Sequence, residues 1–250
     1  MSAAMHPRPP PPPPLADDWA LFVDVDGCLL EFADHPDAVR VPPRLAGALV
    51  ALRARLGGAL ALVSGRSLET LAGFFGAGAG TASGLHGLEQ RIDIERIEAP
   101  AGPGELASVA ADARALARLF PGAVVETKGP NLALHWRAAP RAAAPLASFA
   151  DAACVRLPGY VVQAGACVVE LRPRGCDKGD AIARFMARPP FRGRVPVFVG
   201  DDATDEPGFA AVNALGGVSV LVGPARATAA RHALRDPAAV HAWLGLDGSP

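Results

Sequence analysis

Short apolar runs alternate with amphipathic stretches at both ends of the chain, and this rhythm predicts parallel strands separated by helices. A run in which nearly every residue is apolar is typical of a strand buried on both faces. Helices are predicted over residues 42–56, which end at two glycines, and 68–75, for which Ser67 is a suitable N-cap. The pattern predicts an α/β core with a doubly wound parallel sheet. Its predicted strands are residues 20–27, 59–63, 195–200 and 217–223.

The middle of the chain follows a different pattern, in which apolar and polar residues alternate. Such alternation predicts an antiparallel sheet with one covered face. Two helices are predicted among these strands, at residues 104–119 and 141–155. We therefore predict an inserted α+β cap domain at residues 88–172, within a core domain of residues 17–87 and 173–250, with hinges near Gly87 and Pro173. The alternating strands are residues 91–97, 124–128, 131–137, 160–163 and 167–172.

The beginning of the chain is dominated by proline, which occupies seven of the eight positions from 7 to 14. Such a run lacks backbone donors and favours an extended polyproline helix. We expect residues 1–16 to form a disordered tail. The functional alternative is a docking site for a proline-recognition domain.

Charge and composition exclude several classes of protein. Half of the 250 residues are hydrophobic, which indicates a globular chain, and 24 basic residues balance 25 acidic ones. This balance gives no electrostatic argument for a nucleic-acid or membrane partner. No apolar signal-peptide segment or membrane span is visible. The four cysteines form no C-x-x-C pair, which fits a reducing compartment, so we expect a soluble cytoplasmic protein.

Acidic residues follow the first predicted strand. Asp24 and Asp26 are two residues apart, so in an extended strand both carboxylates share one face. One carboxylate can attack phosphorus as a nucleophile, and the other can serve as a general acid and base. A solvated turn would also carry such residues, but the DVDG sequence closes a hydrophobic strand.

Three further segments follow predicted strands or begin predicted helices. Ser64 and Gly65 offer a hydroxyl and backbone N–H groups to an anion, and Lys178 can offset charge on a phosphoryl group. Four acids between Asp201 and Glu206 repel one another unless a cation lies among them, and oxygen ligands suit Mg²⁺. Because ligands bind outside the carboxyl ends of strands in such sheets, these segments are predicted to converge.

The order D-x-D, S-G-R, an inserted domain, K-G and G-D-D-x-x-D-E resembles that of the haloacid dehalogenase-like phosphatase superfamily. The finer resemblance is to trehalose-6-phosphate phosphatases and extends from about Trp19 to Leu246. Segments that carry this resemblance are LVSGRS, GLHGLE, NLALHWR, VVELRPRGCDKGDAI, GDDATDEPGFAAVNALGGVSVLVG and VHAWLGL.

The resemblance implies a role for each matching residue. Asp24 would accept the phosphoryl group, and Asp26 would protonate the departing sugar oxygen and then activate water. Ser64, Gly65 and Lys178 would hold the phosphoryl oxygens. Mg²⁺ would be bound by Asp24, the backbone carbonyl of Asp26 and Asp201, supported by Asp202 or Asp205. The implied reaction is hydrolysis of trehalose 6-phosphate to trehalose and phosphate.

The cap is expected to recognise the sugar through directed hydrogen bonds, because trehalose offers hydroxyl groups and almost no charge. Two positions depart from the family: Cys28 stands where threonine is usual, and Ala166 where lysine is frequent. The first departure predicts looser positioning of the loop or of Asp26, and the second puts one expected cap contact in doubt. Candidate sugar-binding residues are His86, Glu89, Lys128, Asn131, His135, Arg137 and Glu170.

Other functions stay open at this point. The same core could hydrolyse another phosphorylated disaccharide or a sugar acid phosphate, since only the cap distinguishes these substrates. A sugar-phosphate sensor would be expected to lack the nucleophile or the metal-binding acids, which this chain retains. Asp26 disfavours transfer of the phosphoryl group to an acceptor other than water, because a general base two residues from the nucleophile promotes hydrolysis of the intermediate.

Overall fold

A computed structural model describes residues 7–32, 39–92, 95–97 and 102–247, with the backbone alone for 95–97. Its larger sheet runs β12-β11-β10-β1-β2-β3-β4-β5. In those residues no helix is long and apolar enough to cross a lipid bilayer. The strands of this sheet are β1 (Trp19–Val23), β2 (Leu60–Val63), β3 (Thr81–Gly84), β4 (Glu89–Ile92), β5 (Glu95–Ile97), β10 (Val195–Gly200), β11 (Val218–Val222) and β12 (His232–Leu234).

The centre of this sheet is parallel and buried on both faces. Strand β1 pairs in parallel with β10 and β2, and all five of its residues are buried. Its alternate residues enter two apolar clusters on opposite faces, Leu21 in one and Phe22 in the other. The doubly wound core is thereby confirmed. Its helices are α1 (Leu45–Arg55), α2 (Leu68–Phe75), α5 (Lys178–Met186), α6 (Glu206–Ala214) and α7 (Pro237–Leu244).

A second sheet of four antiparallel strands, in the order β6-β7-β9-β8, forms the cap. Leu132 and Leu134 point from one face into a cluster with Leu106 and Leu146, which lie on the two cap helices. The opposite face is left for polar residues, as the alternating pattern predicts. The cap elements are α3 (Glu105–Ala117), β6 (Val124–Lys128), β7 (Asn131–His135), α4 (Ala143–Cys154), β8 (Tyr160–Gly165) and β9 (Val168–Pro173).

The pairing of β4 and β5 corrects one prediction about the cap. The sequence pattern predicts that a strand at residues 91–97 belongs to the cap sheet, but β4 pairs antiparallel with β3 and β5 with β4. These two strands therefore extend the core sheet, and the stretch that begins at residue 88 is not part of the cap sheet. Alternation indicates a strand with one covered face, but it does not specify which sheet the strand joins.

The described part of the proline-rich segment, residues 7–16, lies against the core and corrects the prediction of a disordered tail. The Pro10 carbonyl accepts the Ala233 N–H of edge strand β12 at 2.9 Å, and the Pro13 carbonyl accepts the Trp243 indole N–H at 2.8 Å. Leu15 packs on the core cluster. A polyproline strand keeps its carbonyls available, so it matches an edge strand and an indole that have unused donors.

Deletion of residues 1–14 is expected to destabilise the protein without changing its active site. The lost hydrogen bonds amount to about 1–3 kcal/mol, which corresponds to a fall of several degrees in Tm. Differential scanning calorimetry would measure the change, and Trp243→Phe, which removes one of these bonds, should show a smaller fall. An unchanged Tm in the deletion variant would contradict a stabilising role.

Candidate active site

Three neighbouring strands bring the predicted catalytic residues to one edge of the core sheet. Asp24 follows β1, Ser64 follows β2 and Asp201 follows β10, so the order β10-β1-β2 places all three together. The Asp24 N–H donates to the Val199 carbonyl at 2.9 Å, which continues the hydrogen-bond ladder of β1 and β10 as far as Asp24. A pocket opens here between the core and the cap. Its walls are Asp24, Asp26, Phe32, Val39, Gly65, Arg66, His86, Lys128, His135, Arg137, Ala166, Cys167, Val168, Lys178, Asp201, Asp202 and Thr204.

Lys178 lies between two buried carboxylates at the floor of the pocket. It is the first residue of α5, which Asp177 caps, and its Nζ is 3.0 Å from Asp24 Oδ2 and 2.6 Å from Asp205 Oδ1. Burial works against its charge, but Asp205 and Asp24 raise the pKa of Lys178 well above its usual range. Burial also disfavours the charged form of Asp24 and so raises its pKa, and the positive charge of Lys178 opposes that rise. The ammonium therefore stays charged beside Asp24.

The acidic loop after β10 is organised around Asp205. Its Oδ2 accepts the N–H groups of Asp201 and Asp202 at 2.8 and 3.0 Å, and Asp202 Oδ1 accepts the Thr204 N–H. Arg226 donates to the Asp202 carbonyl at 2.7 Å and pairs with Glu206. The predicted supporting role of Asp202 and Asp205 thus has a geometric basis, because both fix the backbone next to Asp201.

Asp201, like Asp202, lines the pocket, but its carboxylate is not held by the loop. Within the described chain its carboxylate makes no hydrogen bond or ion pair, whereas its neighbours are held by donors. Burial, followed by the charges of Asp24 and Asp205, raises the pKa of Asp201 to about 9. A cation would relieve this repulsion, and oxygen atoms of Asp24 and Asp201 lie within 4.8 Å of each other.

Gly65 and His86 meet above Ser64. A Cβ at Gly65 would lie 2.6 Å from His86 Nε2, so only glycine leaves room for the ring. The backbone of Leu85 and His86 is left-handed, with φ of 49° and 54°, which costs of order 1–3 kcal/mol per residue and is typical of functional sites. Ser64 is buried, and its Oγ accepts the Arg66 N–H at 3.1 Å.

A buried network joins the core to the cap. His86 Nε2 is 2.9 Å from Glu170 Oε2, and Asn131 donates to Glu170 Oε1 at 2.9 Å. Burial opposes ionisation of Glu170, but His86, Lys128 and the Asn131 hydrogen bond together lower its pKa to about 2. Glu170 and Asn131 lie behind the pocket wall and hold His86, which lines it.

Glu126, which was not predicted as a site residue, positions two cap side chains, His135 and Lys128. Glu126 accepts from His135 at 3.0 Å and lies 3.2 Å from Lys128. Its position two residues before Lys128, on the same face of β6, was the feature of the sequence from which it could have been predicted.

Arg137 is held by two contacts at the pocket. Its guanidinium stacks 4.7 Å from the Phe32 ring centroid and donates to the Ala166 carbonyl at 3.0 Å.

Glu89 is not brought to the pocket. It lies on β4, where its buried carboxylate accepts the Leu68 N–H at the start of α2, and Ser67 caps the same helix as predicted. Pocket residues that were not selected from the sequence are Phe32, Val39, Arg66, Cys167, Val168 and Thr204.

Cys28 is fully buried beside the acids. Its thiol sulfur lies within 4.8 Å of carboxylate oxygens of Asp24 and Asp201. Burial, with the charge of Asp201, raises the pKa of Cys28 well above its usual value, so the group remains a neutral thiol. The adjacent Gly27 has a φ of 80°, and a Cβ there would lie 2.5 Å from Asp201 Cγ, which explains the glycine.

Glu170→Gln is expected to reduce acid sensitivity. A carboxylate with a lowered folded pKa stabilises the protein above its unfolded pKa of about 4.3, and this contribution is lost as pH falls towards 2. The free energy of unfolding of the wild type should exceed that of the variant by about 2–3 kcal/mol at pH 6, and this difference should disappear near pH 2. Urea denaturation across this range would measure it, with exposed Asp151→Asn as control. A gap independent of pH would contradict the expectation.

The α/β core with an inserted cap, and with acids at the ends of neighbouring parallel strands, is similar in fold to a phosphatase of the haloalkanoate (HAD) superfamily from Bacteroides thetaiotaomicron, at 18% identity and a TM-score of 0.57 over 91% of this chain and 93% of that one. Residues 22–238 match the trehalose-phosphatase family. The chain therefore belongs to that family.

Relatives and solved structures agree with this assignment. The chain is 43% identical over 209 residues to a probable trehalose-phosphate phosphatase of Sinorhizobium fredii, covering 83% of this chain and 79% of the relative. It is 41% identical over 233 residues to a trehalose-6-phosphate phosphatase of Escherichia coli, covering 93% and 87%. The C-terminal domain of a Candida albicans trehalose-6-phosphate phosphatase superposes with a TM-score of 0.81 over 92% of each chain, at 24% identity, which shows the shared fold.

Proposed function

We propose that this protein hydrolyses trehalose 6-phosphate to trehalose and inorganic phosphate, with Asp24 as the nucleophile. The observation that carries the proposal is the position of Asp24, 3.0 Å from the buried Lys178 ammonium and next to Asp26 and Asp201 in one pocket. Membership of the trehalose-phosphatase family and the names of the relatives support the substrate.

In the first step an Asp24 carboxylate oxygen attacks phosphorus, and the bond from phosphorus to the sugar oxygen breaks. Asp26, in its carboxylic acid form, gives its proton to that oxygen, which leaves as the hydroxyl of trehalose. Lys178 offsets negative charge that spreads over the phosphoryl oxygens, Gly65 lines the same pocket, and the buried Ser64 precedes Gly65 in the chain.

In the second step a water molecule releases phosphate from the aspartyl group. Asp26 is now a carboxylate and takes a proton from water, whose oxygen bonds to phosphorus while the bond to the Asp24 oxygen breaks. Asp24 returns to a carboxylate and Asp26 to a carboxylic acid. The balance needs only water as a co-reactant.

The acids of the pocket fit a divalent cation, and we assign Mg²⁺ to them. Asp24, the backbone carbonyl of Asp26 and Asp201 would hold it, with Asp202 and Asp205 fixing the loop behind. The fit rests on Asp201, a largely buried carboxylate whose pKa is raised to about 9 without such a partner. A bound Mg²⁺ supplies positive charge to the phosphoryl oxygens, which a pocket lined by carboxylates otherwise repels.

The cap wall of the pocket, together with His86 of the core, suits a neutral polyhydroxyl sugar. His86, Lys128, His135 and Arg137 line the pocket with nitrogen donors, and three of them are oriented by Glu170 or Glu126. Directed hydrogen bonds of this kind distinguish sugar hydroxyl patterns, because an unmatched buried polar group is costly.

The test is phosphate release from a panel of sugar phosphates with Mg²⁺ present, removed by chelation and restored. We expect trehalose 6-phosphate to be preferred over glucose 6-phosphate and sucrose phosphate, with activity lost on chelation and regained with Mg²⁺. Comparable rates on all three sugars would contradict the substrate, and unchanged activity after chelation would contradict the metal.

A further inference from the structure

Arg66 makes a two-point contact with the acid–base residue of the pocket. Its Nε is 2.7 Å from Asp26 Oδ2, and its Nη2 is 2.8 Å from Asp26 Oδ1. These are the side-chain hydrogen bonds that the Asp26 carboxylate makes within the described residues. A fork of parallel bonds of this kind fixes the plane of a carboxylate as well as its position.

The Arg66 side chain is itself held from several directions. Its guanidinium carbon lies 4.8 Å from the centroid of the Phe74 ring on α2. Its backbone N–H bonds the Ser64 hydroxyl at 3.1 Å, and its carbonyl accepts the Leu85 N–H at 3.0 Å. The side chain is 12% exposed, so the fork is partly shielded from water. The contact is therefore anchored to the strand end that also carries Ser64.

We propose that Arg66 is a positioning residue that orients the Asp26 carboxyl group, so that in its acid form it can give a proton to the leaving sugar oxygen. The inference rests on the proposed function and deepens it. Lysine could keep the positive charge but could not form the fork, because an ammonium is a point charge without a fixed plane. Orientation, rather than charge alone, is what this contact contributes.

Comparing substrates with different leaving groups distinguishes this positioning role from a purely structural role of Arg66. In the first step the proton moves from Asp26 to a sugar oxygen, which is a poor leaving group without it. A nitrophenolate leaves without a proton, so release of nitrophenol from p-nitrophenyl phosphate in the first turnover does not need an oriented Asp26. Loss of general-acid assistance costs typically 10²- to 10⁴-fold where it is needed.

The experiment compares Arg66→Lys with the wild type on trehalose 6-phosphate and on p-nitrophenyl phosphate, both with Mg²⁺. We expect kcat for the sugar phosphate to fall by about 10- to 100-fold with KM changed less than about threefold, as for partial loss of acid assistance. First-turnover nitrophenol release should change less than about threefold. Phe74→Leu, which removes the supporting ring, should show the same selectivity with a smaller loss.

Arg91→Lys is the matched control, because Arg91 bonds the Gly80 carbonyl in the core sheet and does not line the pocket. Equal losses on both substrates in Arg66→Lys would overturn the inference, as would weakened inhibition by inorganic phosphate, which would make Arg66 a phosphate ligand. If the wild type hydrolyses p-nitrophenyl phosphate but not trehalose 6-phosphate, the proposed function is wrong. Arg66→Lys is then compared with the wild type on whichever sugar phosphate of the panel is hydrolysed. The same results, a selective loss or equal losses on both substrates, decide the role of Arg66.

Discussion

Asp24→Asn is expected to abolish turnover while leaving the fold intact. The amide is nearly isosteric with the carboxylate but is a poor nucleophile, so kcat should fall by at least about 10⁴-fold. Burial raises the pKa of Asp24, with further contributions from the surrounding acids. Removing its charge therefore relieves repulsion, and the metal-free variant should be at least as stable as the wild type.

Trapping the covalent intermediate tests the same prediction directly. Acid quenching during turnover of a radiolabelled phosphate ester should give a labelled wild-type protein and an unlabelled Asp24→Asn variant. Asp26→Asn is the informative companion, because it keeps the nucleophile and should accumulate label from p-nitrophenyl phosphate. Retained turnover or labelling in Asp24→Asn would place the nucleophile on another residue.

The core of the fold could be predicted because its central strands are continuous apolar runs. Strands β1, β2 and β10 are buried on both faces. Such strands appear in the sequence as continuous apolar runs, whichever strands they pair with. Strand β3 has the sequence TASG, in which small and polar residues are buried by neighbouring strands rather than by their own hydrophobicity. The sequence of β3 therefore has no apolar run from which a strand could be predicted. The short strand β12 and the docking of the proline-rich segment on β12 were not predicted either.

The convergence of Asp24, Ser64 and Asp201 at one sheet edge was predictable for a related reason, since each follows a strand and strand ends converge in a parallel sheet. Contacts that depend on side-chain geometry were not predictable. The Arg66–Asp26 fork joins residues 40 positions apart, and the His86–Glu170 pair joins residues 84 apart. Separations of that size leave no periodic trace in the sequence.

Lys178→Met is expected to cause the second large loss, in both activity and stability. Methionine has a similar length but leaves the Asp24 and Asp205 carboxylates without their buried cation. Breaking a buried ion pair in this way costs about 3–5 kcal/mol, and the pocket loses the positive charge beside Asp24. At pH 7.5 the metal-free variant should have a markedly lower free energy of unfolding, and kcat should fall by at least about 10³-fold.

The stability loss, unlike the activity loss, should be reversed by acid and by a second substitution. Burial already raises the pKa of Asp24 and of Asp205, and loss of Lys178 removes the group that opposes this rise. The folded variant then binds more protons than the unfolded chain above the ordinary carboxyl pKa of about 4, so its stability increases as pH falls from 8 to 5.

Urea denaturation at pH 5 and pH 8 measures this effect, and the double variant Lys178→Met/Asp205→Asn separates charge from packing. Removing one acid should restore part of the stability at pH 8, whereas turnover should stay lost because the cation beside Asp24 is still missing. A double variant as unstable as the single one at pH 8 would show that the lysine stabilises the fold by packing. Its position between two carboxylates would then not be the source of the loss.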